Sequence, residues 1–406
     1  MAKLITIYTQ AYNVEPYIEQ CIKSVISQTY REFEWLLIEN GSTDKTREII
    51  KRYAQSDNRM KVTYFDENRT GFSNDYIRDN ANGEYIVKLD SDDWLEPEYL
   101  EKLIYPMEHE NADISICGAL DYEQETGKET LHEYGDLEGI YHAEDIRTHF
   151  IDMRSYFGTY WGKMFRKELF CRILPKIREA EEKLKAGNYY GGDNLFMLFY
   201  IQECKSIMFI KKSMYHYRIH KSGYATRTIS TKRLECFFEL RNIEKQFLEN
   251  CNAQTKANEL FVDVIFWESM GQLFKHIIRG EWSTEKKIKT ISDICSEPKV
   301  KKITGETYNS KVRAILVNYI AWCYMNMGNE DGECIRNMMV LLEPSIYDSI
   351  SDETYEWMRK DQILMSYIIM GEYLNAQTYL EQMKTADNEC YIKELEIRLG
   401  SDMEKR

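Results

Sequence analysis

Paired cysteines, prolines and long apolar runs are scarce in this 406-residue chain, and each scarcity removes a class of protein. Its ten cysteines form no C-x-x-C pair and no Cys/His ligand spacing. They sit in apolar runs such as Ile116-Cys117 and Trp322-Cys323, which reads as reduced, mostly buried thiols. Six prolines and 20 glycines, with no serine-rich or repetitive tract, argue against long disordered arms and leave only compact domain boundaries. The longest apolar stretch, Ala314 to Met327, contains Asn318 and Asn326 and falls short of the roughly 20 residues that span a bilayer. Met1-Ala2-Lys3 runs straight into Leu4 to Ile7 without a signal-peptide h-region and cleavage site. The expectation is a cytoplasmic protein whose membrane contact, if it has one, is peripheral and at the inner face.

Positive charge is also in deficit. Lys and Arg number 53 against 67 Asp and Glu, a net charge of -14 that repels polyanions, and no zinc-finger spacing or nucleic-acid signature offsets it. Nucleic acid is therefore not an expected partner. One segment runs the other way: Lys205 to Arg233 carries eight basic residues and no Asp or Glu. A phosphate-neutralising face and an ordinary solvated face both remain open there.

With 43% hydrophobic and 30% charged residues, the chain can bury a substantial core in two or three domains. Up to about residue 118, short apolar runs alternate with amphipathic segments, the pattern of an α/β domain with a mostly parallel sheet. Strands are expected at Leu4 to Thr9, Phe33 to Ile38, Val62 to Phe65, Tyr85 to Leu89 and Ile114 to Cys117. Between the first two, Ile18, Cys21, Ile22, Val25 and Ile26 recur at helical spacing behind Pro16. From about residue 230, long amphipathic helices replace the strands, giving an all-helical region over 229–406 after an α/β domain over 1–228. Within 312–385 two helix-Gly-helix units, turning at Gly328 and Gly371, are loosely similar to tetratricopeptide repeats; a plain helical bundle is an equal reading.

In open α/β sheets ligands gather at the carboxyl ends of the strands. Here those ends are polar: Gln10, Tyr12 and Asn13 after the first strand, Glu39 and Asn40 after the second, and Asp90-Ser91-Asp92-Asp93 after the fourth. Asp44, by contrast, is read as a helix cap. Three carboxylates at one strand edge can ligate Mg²⁺ or Mn²⁺, which would in turn bridge a diphosphate; the competing reading is that Ser91 and Asp93 merely open the next helix.

The first 110 residues resemble family 2 glycosyltransferases of the GT-A fold. The matching segments are Ala11-Tyr12-Asn13-Val14-Glu15-Pro16-Tyr17-Ile18, Ser24-Val25-Ile26-Ser27-Gln28-Thr29-Tyr30, Gly41-Ser42-Thr43-Asp44, Asn82-Gly83-Glu84-Tyr85 and the Asp90 to Asp93 cluster. A thinner likeness continues through Trp161-Gly162-Lys163 to Phe170, Gly192-Asp193-Asn194-Leu195-Phe196 and Tyr217-Arg218-Ile219-His220, covering about the first 225 residues. The resemblance implies an inverting transfer of a sugar from a nucleoside-diphosphate sugar, UDP being the family habit, to a hydroxyl of a glycan, lipid-linked glycan or protein. It assigns the nucleotide sugar to Gln10, Tyr12, Glu39, Asp90 and Ser91, with Tyr76 as a base-stacking ring. Asp92 and His220 are the expected ligands of Mn²⁺ or Mg²⁺, and Asp193 the catalytic base. Trp161, Lys163, Arg218 and Lys221 are expected to meet the acceptor or the diphosphate, with Ser222-Gly223-Tyr224-Ala225 as a lid.

Departures accompany the matches. The family's usual Asp-Asp before Gly-Ser is Glu39-Asn40 here, its usual Glu before the catalytic Asp is Gly192, its usual Pro near the first strand end is Gln10, and its usual Ala-Arg-Asn is Asp75-Tyr76-Ile77. The competing functional reading is therefore a catalytically silent nucleotide-sugar-binding scaffold that acts through its C-terminal helices. A sugar nucleotidyltransferase needs a glycine-rich basic phosphate loop after the first strand, and Thr9-Gln10-Ala11-Tyr12-Asn13 is not one. The C-terminal helices are candidates for a homodimer or a peripheral membrane contact, the latter because Lys286 to Arg313 carries eight basic and three acidic residues.

Overall fold

The computed structural model describes residues 2–69, 73–132, 137–184, 191–220 and 233–279, with 282–283, 286, 289–290, 293–294, 297–306, 378 and 380–381. The proposed helical hairpins at 312–385 lie almost wholly outside the described residues, as does nearly half of the basic stretch 286–313. The chain divides into two compact units, Met1–Arg227 with Asn242–Glu259, and Thr228–Arg241 with Leu260–Arg406.

The first unit opens with β1 (Ile5–Ala11), α1 (Ile18–Ile26), β2 (Phe33–Asn40), α2 (Thr46–Ala54), β3 (Met60–Phe65), α3 (Ser73–Asn80) and β4 (Tyr85–Lys88). All eight residues of β2 are buried, as a strand covered on both faces requires, so its pattern is a continuous apolar run broken only by Glu34, Glu39 and Asn40. In α1, Ile18, Cys21, Ile22 and Val25 bury one stripe at helical spacing against the sheet. Next come β5 (Trp94–Leu95), α4 (Tyr99–His109), β6 (Ile114–Glu123), β7 (Lys128–Leu131), β8 (Gly139–His142), α5 (Ile146–Arg154), β9 (Lys163–Arg166), α6 (Lys167–Leu184), α7 (Gly192–Glu203) and β10 (Ser206–Ile219).

Ten strands form one sheet among the described residues, in the order β3-β2-β1-β4-β9-β6-β10-β5, with β7 on β6 and β8 on β10. The pairs among β3, β2, β1 and β4 are parallel, as is β6 with β10, whereas β9 runs antiparallel to both β4 and β6, and β5, β7 and β8 are antiparallel to their neighbours. The sheet is thus mixed, which corrects the mostly parallel expectation. The reason is local: β9 inserts between β4 and β6, and the β6–β7 hairpin and the long strand β10 extend a second half that short apolar runs do not announce. β10 keeps both faces partly polar over 14 residues, so it escapes a search for apolar alternation.

One buried polar knot fixes where β4 enters the sheet. Glu34, 3% exposed, accepts hydrogen bonds from Thr6 Oγ1 (2.8 Å), Asn82 N (2.6 Å) and Asn82 Nδ2 (2.9 Å), and is ion-paired with Lys61. Thr6 Oγ1 accepts from Gly83 N at 2.9 Å. A Cβ on Gly83 would stand 2.5 Å from Thr6 N, so only glycine lets the chain pass this close to β1. The Asn82-Gly83 segment of the motif is therefore architectural, and its effect is to set the start of the strand that leads to Asp90.

α8 (Arg233–Asn250), α9 (Lys256–Arg279) and α10 (Pro298–Glu306) follow. Within the first unit, Arg154 and Glu244 form a buried ion pair, and Asn258 Nδ2 donates to Arg147 O at 3.0 Å. Within the second, Arg241 Nε donates to Asp263 Oδ1 at 2.7 Å and Phe238 stacks on Phe266 at 5.5 Å. Among the described residues no helix is long and apolar enough to cross a membrane.

Candidate active site

The ends of β1 and β2 are held together by a lattice of loop hydrogen bonds. Asn13, at φ 51°, accepts from Thr43 N through Oδ1 (2.8 Å), and its own N–H donates to Ser42 Oγ at 3.1 Å. Asp44 accepts from Thr46 N and Glu15 N, both at 3.0 Å, which is the capping role expected of it and holds its carboxyl below the ordinary range despite opposing burial. Gly41 turns at φ +75°, where a Cβ would lie 2.8 Å from the Glu67 backbone.

On this platform stand the residues assigned to the nucleotide. Tyr12 is 37% exposed. Gln10 Nε2 donates to Arg69 O at 3.0 Å. Glu39 is fully buried; its carboxylate accepts from Ser42 N at 2.7 Å and pairs with Arg47. Its neighbour Asn40 clamps the same stretch that Gln10 holds, donating to Arg69 O (2.9 Å) and accepting from Arg69 N (2.9 Å). Tyr76, on α3, shares a 2.6 Å hydrogen bond with Thr63 Oγ1, and its ring lies 6.3 Å from that of Tyr8.

The four residues after β4 separate into distinct roles. Asp93 is 1% exposed; it accepts from Tyr215 Oη at 2.7 Å and from Arg218 N at 2.8 Å. Burial, then the charges of Asp92 and Asp90, push its carboxyl well up. Ser91 is likewise buried. Asp90 is raised to about 6, first by burial, with the Lys88 ammonium opposing and Asp92 and Asp193 adding to the rise. Asp92 is 29% exposed, and its Oδ2 lies 3.0 Å from His220 Nε2. The two expected metal ligands thus meet across the β4 and β10 ends. Among the described residues no group of three or more His, Cys, Asp or Glu side chains could hold a metal by itself.

Arg218 is turned into the protein. Its Nε donates to Asp92 O at 2.7 Å and a terminal nitrogen to Gln20 Oε1 at 2.6 Å, with another hydrogen bond to Gln124. The guanidinium lies over the rings of Tyr17, Trp94 and Tyr122 at 5.0, 4.6 and 5.3 Å. Lys221 and the glycine-containing segment behind it lie outside the described residues.

Asp193 sits in the first turn of α7, behind Gly191 at φ +81°, and its charge reaches Asp90, Lys163 and Tyr160. Lys163 is fully buried, donating to Thr159 Oγ1 at 2.8 Å and Trp161 O at 3.0 Å, and burial pulls its ammonium down to about 7. Trp161, 4% exposed, stacks on Tyr215 at 4.5 Å and Tyr217 at 5.3 Å. Sequence reasoning missed Lys88, Gln20 and Tyr215. Lys88 had a signal, a cation inside an apolar strand two residues before Asp90. Gln20 had none, because only the fold brings it to Arg218.

Residues 6–174 match the family described as Glycosyl transferase family 2. The chain is 27% identical to EpsH of Bacillus subtilis (strain 168) over 311 residues, 75% of this chain and 86% of that protein. It is 29% identical to the glycosyltransferase GlyA of Streptococcus pneumoniae serotype 4 over 227 residues, 54% of this chain and 31% of GlyA. The crystal structure of S. aureus TarS 1-349 in complex with UDP-GlcNAc has the same fold, with a TM-score of 0.52 at 18% identity over 84% of this chain and 90% of that one.

Proposed function

We propose, from the premise that residues 6–174 belong to glycosyl transferase family 2, that the chain moves a sugar from a UDP-sugar to an acceptor hydroxyl with inversion, using Mn²⁺ or Mg²⁺. The observation that carries this reading is the meeting of Asp92 and His220 at 3.0 Å beside Asp90, whose carboxyl feels the charge of Asp193. Donor-end and acceptor-end chemistry thus converge on one edge of the sheet.

A hard carboxylate and an imidazole are a donor set that fits Mn²⁺ or Mg²⁺ when diphosphate oxygens and water complete the shell. Held by Asp92 and His220, the cation would neutralise charge on the departing diphosphate. The remaining work belongs to the side chains. Gln10, Tyr12, Tyr76, Asp90 and Ser91 receive the base and ribose, while Glu39, engaged by Arg47 and Ser42, shapes that end of the cleft. Asp193 accepts the proton of the acceptor hydroxyl as its oxygen attacks the anomeric carbon. A single in-line displacement inverts configuration. Trp161 and Lys163 form the floor under the acceptor, and Arg218 serves the diphosphate indirectly, by holding the Asp92 main chain. UDP is the nucleotide of choice by family habit, and a UDP-sugar is what TarS of the same fold is seen to hold.

A panel of nucleotide sugars, followed for cation-dependent donor turnover and product stereochemistry, tests the reading. Asp193→Asn is expected to lower transfer about 10²- to 10⁴-fold while UDP binding by calorimetry persists. Asp92→Ala is expected to remove the cation dependence of that binding. Wild-type transfer by Asp193→Asn, or silence of the unmodified chain toward every donor, would sink the proposal.

A further inference from the structure

We propose that the Asp121–His132 pair, together with Tyr217 and Trp161, is the acceptor subsite of this enzyme, and that it takes an uncharged pyranoside through its hydroxyl groups. The inference rests on the transferase reading above and adds to it the wall that meets the acceptor and the acceptor's chemical class.

Strand pairing builds that wall. In the β6–β10 ladder Asp121 stands opposite Tyr217, and in the β6–β7 ladder it stands opposite Thr130. His132 N donates to Ala119 O at 3.1 Å, which continues the β6–β7 register by two residues. Side chains alternate along a strand, so Asp121, His132, Tyr215 and Tyr217 share one face of the sheet, while Arg218 lies on the other. Asp121 Oδ1 and His132 Nδ1 are 2.6 Å apart, with side chains 23% and 24% exposed. The imidazole presents its edge to Trp161 at 5.3 Å and to Tyr217 at 6.3 Å.

The wall is continuous with the donor cluster. Tyr215, on the same face and under the same tryptophan, donates to Asp93 and accepts from Asp90 N at 3.2 Å. Tyr217 stacks on the same tryptophan as Tyr215 and stands opposite Asp121. An acceptor lying against Tyr217 therefore has the Asp90–Asp93 turn on one side and the Asp121–His132 pair on the other.

The chemistry of the wall selects its occupant. A carboxylate bound to Nδ1 fixes the tautomer and plane of the imidazole, giving a rigid polar pair suited to hydroxyls rather than to an apolar group. Aromatic faces and edges accept the C–H surface of a sugar ring while their polar tips stay available. The Asp121 carboxylate, 2.6 Å from the imidazole it holds, disfavours a phosphate or carboxylate on the acceptor at this point and tolerates neutral hydroxyls.

The test uses the full chain and the UDP-sugar it turns over, with octyl β-glucoside, octyl β-galactoside and their 6-phosphates as acceptors. The neutral glycosides are expected to be used with kcat/KM at least about tenfold above their 6-phosphates. His132→Gln and Asp121→Asn are each expected to raise the acceptor KM about tenfold, the scale of one good hydrogen bond to a bound hydroxyl, at an unchanged donor KM. Unchanged acceptor KM in both variants, preference for the 6-phosphates, or transfer to neither class overturns the subsite while donor turnover still supports the transferase. Absence of donor turnover by the unmodified chain would be a failure of the transferase reading and would take this proposal with it.

Discussion

Glu34 offers a direct test of how the fold sets the site, because its effect can be worked out from its surroundings. Its carboxylate is 3% exposed, bridges Thr6 on β1 to Asn82 before β4, and is paired with Lys61 on β3. Burial alone would raise its pKa; the pairing with Lys61 and the hydrogen bonds from Asn82 and Thr6 overcome that and hold it at about 2 instead of the ordinary 4.5. At about 1.4 kcal/mol per pH unit, the carboxylate contributes about 3 kcal/mol at neutral pH. The folded pKa is depressed, so this stability is fully present above pH 4.5 and is lost as pH falls toward 2. Glu34→Gln keeps the shape but cannot ionise. In urea unfolding, followed by circular dichroism, the wild type should exceed the variant by about 3 kcal/mol at pH 7 and by about 1 kcal/mol at pH 3. A difference that stays constant across that window, or no difference at pH 7, would refute the assignment of the stability to an ionised, desolvated carboxylate.

Three other perturbations follow from the same geometry. Gly83→Ala forces a Cβ to within 2.5 Å of Thr6 N, and a loss of about 3 kcal/mol, read as a lower Tm, is expected; an unchanged Tm would show that β1 and β4 can part at no cost. Lys163 has a folded pKa of about 7 against an ordinary 10.5, so the unfolded chain binds the extra proton and stability should rise as pH climbs from 7 toward 10. Lys163→Met should remove that rise, of order 4 kcal/mol at most, and identical pH profiles for the two proteins would contradict the buried, desolvated ammonium. Arg218→Lys keeps the charge but loses the fork that reaches both Asp92 O and Gln20. The cation concentration for half-maximal UDP binding should rise about tenfold, the effect of one lost charge-assisted hydrogen bond, and no change would mean that Asp92 is held without it.

The parallel half of the sheet was legible because its strands are short, largely apolar runs set off by turns and α1 a clean amphipathic stripe; β1, β2, β3 and β4 all lie where the pattern puts them, within a few residues. Of the second half only the start of β6, at Ile114 to Cys117, was. β9 is four residues long, and β10 alternates buried aromatics with Lys211, Lys212 and Arg218, so neither carries the period of a half-buried strand. The same difference applies to the site. Asp90 to Asp93 announces itself as a strand-end carboxylate cluster, and His220 is brought to it by the length of β10. Asp121 and His132 carry no local signal at all, since an 11-residue separation becomes a 2.6 Å contact only through the β6–β7 hairpin.

The structure also bears on what the departures from the family pattern mean. Asn40 stands where an Asp is usual and Gln10 where a Pro is usual, and read one at a time these look like erosion of a donor site. In the fold they act on one object. Asn40 donates to Arg69 O and accepts from Arg69 N, while Gln10 donates to the same Arg69 O at 3.0 Å. An aspartate at position 40 could accept from Arg69 N but could not donate to the carbonyl, and a proline at position 10 has no amide to offer. Two amide side chains, each able to donate, are what a shared carbonyl acceptor requires. Asn40 completes its set with a 2.6 Å hydrogen bond to Asn68 Oδ1, and the Arg69 guanidinium lies 4.4 Å over Phe65. Here the replaced residues answer one another through a single backbone unit, so the two departures act together to hold the Arg69 main chain at the ends of β1 and β2.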